Sequence, residues 1–368
     1  MIEVADIFRG HAGDYINQFG QSMLPSHLRA LQDIMACRTE TLGGHVYCCD
    51  HCGEYTYAFH SCKNRSCPKC HTRQTQQWLE KRQLELLPVP YFHITLTIPE
   101  QLRALFRSNQ KVCYSILMKS AAQAIQALAL DPKYCGGKVA ILAVLHTWTQ
   151  QMVFHPHVHC LVSAGGLSED GQNWLASSEH YLMPVKALSK LFRGKCLAAL
   201  RDAFPEKVLI TPTHWVVHCK AWGQGKTAVL DYLARYVFRS AMTNCRILSM
   251  DAQWIRFRYK DRKAKRWRIC QVAPQEFIRR FLQHVLPRGF HKVRYYGLWH
   301  PSKQKQVKQV QLLLTTKPVD KEELISNTVE DESEPSSLAV YEMALCSHCK
   351  IGHLVLVKKL FRKKLVDH

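Results

Sequence analysis

The sequence lacks any long apolar run. No stretch reaches the roughly 18 apolar residues that a membrane-spanning helix needs. The N-terminal residues MIEVADIFRGHAGDY also contain no apolar core of a signal peptide. These two absences argue against an integral membrane protein and against a secreted protein. We therefore expect a soluble cytoplasmic protein that has no membrane partner.

Acidic residues are scarce. The chain has 29 Asp and Glu residues against 50 Lys and Arg residues, which gives a formal net charge of +21. Seven of the acids lie beside two lysines in the segment Lys317–Ser337, so the rest of the chain carries about +26. Such an excess favours a polyanionic partner, most often a nucleic acid. The alternative is a basic protein whose charges form a solvated face.

Cysteine is abundant, with 16 residues, but no secretion signal accompanies it. Disulfide scaffolds belong to oxidising compartments, so metal binding explains these cysteines better. Two CxxC pairs, formed by Cys49 with Cys52 and by Cys67 with Cys70, supply four thiolates at a spacing typical of tetrahedral zinc. We predict one structural zinc ion bound by these four residues. Cys48 is an alternative zinc ligand to Cys49, but only Cys49 has the CxxC spacing to Cys52.

Further metal-ligand residues lie outside these two pairs. Cys37, His45 and Cys62 are enough for a partial second zinc site, or are buried thiols and a solvated histidine. In the C-terminal tail, Cys346 and Cys349 form half of a site. That half site either binds zinc with a remote ligand or binds nothing.

Hydrophobic periodicity predicts an α+β fold with a central, mostly antiparallel sheet and flanking helices. The segments GGKVAILAVLHTW and HPHVHCLVSAGG are expected to form an antiparallel strand pair, and FHITLTI a further strand. Amphipathic helices are expected between the strands, and a small cysteine-rich module precedes them.

Two histidines share one face of a predicted strand in FHPHVHC. Residues i and i+2 of a strand point to the same side, so His157 and His159 present two imidazoles together. Imidazole suits divalent ions, and a catalytic ion needs a third ligand. We predict a divalent metal site in which Gln150 is the third ligand, with His146 as the alternative.

Two tyrosines share one face of a predicted helix in LDYLARYVFRSAM. Tyr232 and Tyr236 are spaced i, i+4, and Arg235 and Arg239 form a second such pair beside them. Tyrosines at this spacing are usually core residues. A phenol beside a metal and two guanidinium groups can instead attack a phosphate, because the cations stabilise the charge that develops on it.

A basic hairpin is predicted at RFRYKDRKAKRWR. Its cations are interleaved with aromatic residues, a composition suited to phosphate contacts and base stacking. The alternative is a solvated hairpin without a partner. The predicted DNA-binding residues are Arg256, Arg258, Lys260, Arg262, Lys263, Lys265, Arg266 and Arg268.

The order of these motifs resembles that of a known family. HPHVH on a strand, followed by YLARY on a helix, is similar to the HUH endonucleases with two tyrosines. With the module CRTETLGGHVYCCDHCG and SCKNRSCPKC before them, the chain resembles the rolling-circle transposases of IS91-like insertion sequences over about residues 25–300.

That resemblance implies an enzyme that nicks and rejoins single-stranded DNA through a 5′-phosphotyrosine. His157 and His159 would bind catalytic Mg²⁺ or Mn²⁺, and Tyr232 and Tyr236 would be the nucleophiles. The implied division is an N-terminal zinc-binding domain with flanking helices (1–88), a catalytic domain with an HUH-type sheet (89–300), and a linker with a CxxC tail (301–368).

Two rival functions remain open from the sequence. A plasmid relaxase or replication initiator would share the HUH core, but the cysteine module and the paired tyrosines favour a transposase. A non-catalytic zinc-containing DNA-binding protein would keep the charge and the CxxC pairs, with the histidines and tyrosines used for packing.

Overall fold

The computed structural model describes most of the chain. The described residues are 1–70, 86–178, 180, 182–224, 229, 232, 236–237, 240–261, 264–315 and 344–362. The chain forms two compact units. The sheet unit comprises Met1–Leu31 and Arg65–Lys317, and the ribbon unit comprises Gln32–Asn64 and Pro318–His368.

Helices and strands are interspersed along the described chain. In chain order they are α1 (Val4–Phe19), α2 (Pro25–Ala36), β1 (Gly44–Cys49), β2 (Tyr55–Phe59), β3 (Pro90–Thr97), α3 (Arg103–Ser108), α4 (Gln110–Ala129), β4 (Lys138–Trp148), β5 (Phe154–Leu167), β6 (Trp174–Ala176), α5 (Val185–Ala203), β7 (Val217–Gln224), β8 (Ile247–Met250), β9 (Ile255–Asp261), β10 (Arg266–Val272), α6 (Pro274–Leu282), β11 (Val293–Gly297), α7 (Gln304–Thr315) and β12 (Leu354–Leu360).

The sheet unit is built on a six-stranded sheet in the order β11-β4-β5-β3-β7, with β6 paired to β5. All of these pairings are antiparallel. The predicted α+β fold with a central antiparallel sheet is therefore confirmed. The predicted pairing of GGKVAILAVLHTW with HPHVHCLVSAGG is the pairing of β4 with β5, which lies at the centre of the sheet.

The two faces of the sheet differ in what they bury. Val158, Cys160 and Val162 of β5 point to one face, where α4 covers them in an apolar core that α5 extends by packing on α4 and β7. The alternate residues point to the opposite face. That face is apolar around Leu161 and polar toward the start of β5, where His157 lies.

Helix α1 belongs to the sheet unit because it packs on α6. The rings of Phe8 and Phe281 meet edge to face, with their centroids 5.2 Å apart, and both side chains are buried. The backbone N–H of Val4 also donates to the side chain of Asn244 at 3.1 Å. The boundaries predicted at residues 88 and 300 therefore differ from the division seen in the structure.

The ribbon unit contains a three-stranded antiparallel sheet in the order β12-β1-β2. The strand β12 comes from the C-terminal tail, which the sequence predicted as a separate segment. Its pairing with β1 joins positions such as His45 and Lys359. Such a pairing leaves no local pattern in the sequence, because the two strands lie at opposite ends of the chain.

Two predicted helices fall largely outside the described residues. These are the segment RQTQQWLEKRQLELL and most of TAVLDYLARYVFRSAM, of which Val229, Tyr232 and Tyr236 are described and helical. Among the helices that the structure describes, none is both long and apolar enough to cross a membrane.

Candidate active site and metal centres

A row of polar residues crosses the sheet where β3, β4 and β5 lie side by side. His157 of β5 pairs with His146 of β4 on one side and with Thr97 of β3 on the other. In the next row, His159 pairs with Thr95. Directly paired residues of an antiparallel sheet point to the same face, so these side chains converge.

Three imidazoles of these two rows form a candidate metal centre. One ring nitrogen from each of His146, His157 and His159 lies within 4.8 Å of the others, and all three side chains are buried. The predicted third ligand, Gln150, lies in the turn after β4 and lines the same cleft. The structure therefore places the alternative, His146, beside the predicted histidine pair, and it does so through the register of β4 with β5.

Hydrogen bonds fix the orientation of two of these rings. The Nδ1 atom of His157 lies 2.7 Å from the backbone carbonyl of His155, and the Nε2 atom of His146 lies 2.7 Å from the carbonyl of Tyr236. A carbonyl only accepts, so each of these nitrogens donates. A metal ion would then be bound by the other nitrogen of each ring, an arrangement common in metal sites.

His93 orients the third ring and was not among the residues predicted from the sequence. Its Nε2 atom lies 2.9 Å from Nδ1 of His159, and the hydroxyl of Thr95 lies 3.2 Å from the same nitrogen. His93 lies two residues before Thr95 on β3, so both point to the same face. The alternation HIT in FHITLTI is the signal that marks this position.

The two predicted nucleophiles lie on this face in unequal surroundings. The ring centroid of Tyr236 is 4.4 Å from that of His159, and Tyr236 lines the cleft. Tyr232 is fully buried behind it, with ring centroids 4.9 Å apart. Among the described residues the Tyr232 hydroxyl has no hydrogen-bond partner, and burial raises its pKa well above the ordinary value. The predicted Arg235 and Arg239 lie outside the described residues.

A cleft of about 650 Å³ opens over the histidines. Its walls include Tyr236, Arg246 and the end of β9, where Tyr259, Lys260 and Asp261 lie. The guanidinium group of Arg246 donates to the backbone carbonyl of Gln150. Residues from three predicted sets therefore line one cavity: the metal ligands, the tyrosine Tyr236 and Lys260 of the basic hairpin.

The predicted basic hairpin forms, as β9 paired with β10. Some of its charges are internally neutralised: Arg256 pairs with Asp251 at 3.1 Å, and Arg268 pairs with Asp261 at 3.0 Å. Arg258 stacks over the ring of Trp267 at 5.3 Å. Lys260 lines the cleft, whereas the predicted Arg262 and Lys263 lie outside the described residues. Lys265 and Arg266, near the end of the hairpin, are exposed.

A second groove, of about 530 Å³, adjoins the cleft. Val153 lines both cavities, and the guanidinium group of Arg103 lies 3.0 Å from Nδ1 of His155, which lines the cleft. The groove is lined by four guanidinium groups and one carboxylate, which belong to Arg103, Arg107, Arg279, Arg280 and Glu276. Its lining is therefore strongly basic.

The ribbon unit holds a cluster of four thiols. The sulfur atoms of Cys49, Cys52, Cys346 and Cys349 all lie within 4.8 Å of one another. The sequence predicted that the second CxxC pair of the N-terminal module completes this set; the structure corrects this pairing, because the tail pair takes that place. Backbone N–H groups that point at Cys349 lower the pKa of its thiol, whereas the pKa of the neighbouring Cys52 thiol is raised.

The other cysteines predicted as zinc ligands also lie close to one another within their units. Within the ribbon unit the sulfur atoms of Cys37 and Cys62 lie within 4.8 Å of one another, and within the sheet unit those of Cys67 and Cys70 do the same. The predicted ligand His45 is not part of the thiol pair. Its ring lies against that of His60, with the centroids 5.1 Å apart.

Comparisons with known proteins identify transposases as relatives of this chain. A family model described as a putative transposase matches residues 140–307, and one described as a transposase zinc-binding domain matches residues 7–98. The chain is 37% identical to the putative transposase y4qJ of Sinorhizobium fredii, over 97% of this chain and 95% of that protein.

A second relative is the transposase for insertion sequence element IS801 of Pseudomonas savastanoi pv. phaseolicola. It is 27% identical, over 72% of this chain and 68% of that protein. No solved structure matches the chain. The two family models and the full-length similarity lead to one conclusion: the chain belongs to the IS91-like transposases.

Proposed function

We propose that this transposase nicks and rejoins single-stranded DNA through a 5′-phosphotyrosine during rolling-circle transposition. The observation that carries the proposal is the meeting of three imidazoles and the Tyr236 phenol at one cleft of the sheet unit. A merely packing role would not require three histidines to converge beside a partly exposed tyrosine.

The histidine centre fits a divalent ion. It offers three neutral nitrogen ligands, and His155, Tyr236 and His93 each hold one of the rings through a hydrogen bond. Imidazole suits Mn²⁺ better than Mg²⁺, which prefers oxygen. A divalent ion bound there would polarise an oxygen of the scissile phosphate. The cluster of four thiols in the ribbon unit fits structural zinc instead, since four sulfurs leave no open position.

The proposed cleavage step is a transfer of the phosphoryl group to Tyr236. The phenol loses its proton, and its oxygen bonds to phosphorus while the bond from phosphorus to the 3′ oxygen breaks. The 3′ oxygen takes up a proton, so protons and electrons balance without another reactant. The bond energy stays in the phosphotyrosine, and the reverse attack by a 3′ hydroxyl rejoins a strand.

Tyr236 is the nucleophile of the first strand in this proposal. Tyr232 is fully buried, and ionisation of its phenol is unfavourable where it lies. A second cleavage by Tyr232 therefore requires its side chain to reach the cleft. Arg235 and Arg239, one position before Tyr236 and three after it, are proposed to stabilise the phosphate at that stage.

The proposed DNA partner lies along two basic surfaces that meet the cleft. One is the hairpin of β9 and β10, where Lys260 reaches the cleft wall. The other is the arginine groove, which adjoins the cleft at Val153. Positive groups on both sides of a catalytic centre suit a single strand that passes through it.

The experiment that tests the proposed function uses the full-length protein and single-stranded oligonucleotides that tile both ends of the element. With Mn²⁺ or Mg²⁺ present, we expect a protein–DNA adduct that resists SDS, and a chelator should abolish it. Absence of an adduct with every strand would favour a non-catalytic zinc-containing DNA-binding protein. Adducts with a plasmid transfer or replication origin, and not with the element ends, would favour a relaxase or initiator.

The hairpin is expected to contribute phosphate contacts. In the variant Lys260→Glu/Lys265→Glu/Arg266→Glu, the slope of the logarithm of the affinity against the logarithm of salt concentration should fall by about 2. This estimate takes about 0.7 for each phosphate contact on a single strand. Fluorescence anisotropy with a labelled oligonucleotide at several salt concentrations measures the slope.

The matched control removes the same charge from the opposite face of the sheet. Lys186, Lys190 and Arg201 lie exposed on α5, which packs on α4 and β7 and contributes to the apolar core of the opposite face. Their triple change to glutamate should leave the salt slope near that of the unmodified protein. Equal effects of the two triple variants would show that net charge acts, and not the hairpin.

The arginine groove is expected to contribute a further phosphate contact. Arg107 is exposed and lines the groove, so Arg107→Ala should lower the salt slope by about 0.7. Formation of the covalent adduct at saturating DNA should not change, because Arg107 does not line the histidine cleft. An unchanged slope would remove the groove from the proposed path of the strand.

A further inference from the structure

Two cysteine turns of the ribbon unit have the same local construction. In the first, between β1 and β2, the backbone N–H of Cys52 points at the sulfur of Cys49 at 3.5 Å. In the second, just before β12, the N–H of Gly352 points at the sulfur of Cys349 at 3.4 Å. Each turn therefore presents a sulfur that accepts from its own backbone, as a metal-bound thiolate does.

Each sulfur atom of the first turn lies close to a sulfur atom of the second turn. Cys49 lies 3.6 Å from Cys349, and Cys52 lies 3.8 Å from Cys346. A zinc–sulfur bond of about 2.3 Å in a tetrahedral site gives sulfur–sulfur distances of about 3.8 Å. A disulfide needs about 2.05 Å. The distances thus match a four-sulfur zinc site and exclude two disulfides in this arrangement.

The backbone holds the two turns together around this point. The N–H of His353 donates to the carboxylate of Asp50 at 2.7 Å, and the N–H of Asp50 donates to the carbonyl of His353 at 3.1 Å. A side chain at Gly352 would have its Cβ only 2.6 Å from the sulfur of Cys49. The tail therefore approaches the first turn so closely that only glycine fits there.

The ribbon sheet has little apolar burial to stabilise it. Most residues of β2 and β12 are exposed, including Tyr57 and Val357 at more than half of their surface. A sheet of this size needs another source of stability, and a metal ion is one that small units commonly use. The cluster of four thiols lies at the end of the sheet where such an ion would act.

We propose that Cys49, Cys52, Cys346 and Cys349 bind one structural zinc ion, which makes the C-terminal tail a part of the zinc-binding module. The matching zinc-binding family model ends at residue 98, so it accounts for neither tail thiol. The metal fastens β12 to β1 across almost the full length of the chain. This inference does not rest on the proposed DNA chemistry.

The test compares zinc content in purified full-length variants. Cys346→Ser/Cys349→Ser should lose one zinc equivalent relative to the unmodified protein. Cys48→Ser is the matched control, because Cys48 is a neighbouring thiol of β1 outside the cluster, and it should lose none. Gly352→Ala leaves every ligand in place but should also lower zinc retention. Unchanged zinc content in the double variant would overturn the proposal.

A second measurement does not depend on substituted ligands. X-ray absorption at the zinc edge of the unmodified protein should show sulfur ligands at about 2.3 Å.

A third measurement tests whether zinc holds the tail. A protease site inserted after Asn327 allows the chain to be cut there in the zinc-loaded protein. We expect the tail fragment to co-purify with the rest of the chain until a chelator removes the zinc. Release of the tail with all zinc retained, or retention after the zinc is gone, would overturn the proposal.

The outcomes also separate this inference from the proposed function. Zinc content and tail retention are measured without DNA, so a chain that forms no phosphotyrosine still tests the ribbon site. Conversely, a tail that holds no zinc leaves the histidine cleft of the sheet unit as it is, and the adduct experiment remains valid.

Discussion

Tyr236→Phe is expected to form no covalent adduct with single-stranded DNA, whereas Tyr232→Phe keeps most of the adduct. The Tyr236 phenol lines the cleft beside the ring of His159, while Tyr232 is fully buried behind it. Phenylalanine preserves the ring contacts and removes only the nucleophilic oxygen. The adduct is measured on denaturing gels, and mass spectrometry identifies the peptide that carries the oligonucleotide.

Complete transposition separates the roles of the two tyrosines. If Tyr232 cleaves a second strand after its side chain reaches the cleft, Tyr232→Phe should be far more defective in transposition than in nicking. Normal transposition by this variant would make Tyr232 a core residue and leave one nucleophile. The proposal for Tyr236 would fail if the oligonucleotide were found on Tyr259, Tyr295 or Tyr296.

His157→Asn and His159→Asn are each expected to lower the rate of nicking by about a thousandfold. A catalytic ion contributes several kcal/mol to the transition state, and about 4 kcal/mol corresponds to a factor of about 10³. Affinity for DNA at high salt and the thermal midpoint should change little. Single-turnover nicking, DNA binding and thermal unfolding are measured on the same preparations.

His93 and His146 provide graded comparisons for this prediction. His146→Asn should lower the rate of nicking as much as His157→Asn, because one ring nitrogen of each of the three histidines lies within 4.8 Å of the others. His93→Asn should lose only about 10- to 100-fold, the usual effect of a partner that orients a ligand, and added Mn²⁺ should restore part of it. Variants that unfold, or that lose DNA binding together with nicking, would indicate a structural role for the histidines.

Sequence alone predicted the parts of the site that follow from local geometry. His157 and His159 share a face because strand residues alternate, and Tyr232 and Tyr236 share a face because helix residues recur every fourth position. The central antiparallel pair was visible because β4 and β5 are neighbours along the chain. None of these inferences required knowledge of a distant contact.

The remaining features depend on packing between distant segments. The position of His146 beside the histidine pair follows from the register of β4 with β5, which a sequence specifies only weakly at a glutamine-rich turn. The unequal burial of the two tyrosines depends on the sheet face against which they pack. The tail thiols had no identifiable partner, since three CxxC pairs can be combined in several ways.

The pairing of β12 with β1 also determines the order in which the two sheets can fold during synthesis. Ribosomes add roughly 5–20 residues per second, so on the order of 15–60 seconds separate the synthesis of these two strands. The sheet unit, whose strands end at β11, can begin to fold during that interval. The ribbon sheet is completed last, so a polypeptide that terminates prematurely before residue 354 lacks the third strand of the ribbon sheet.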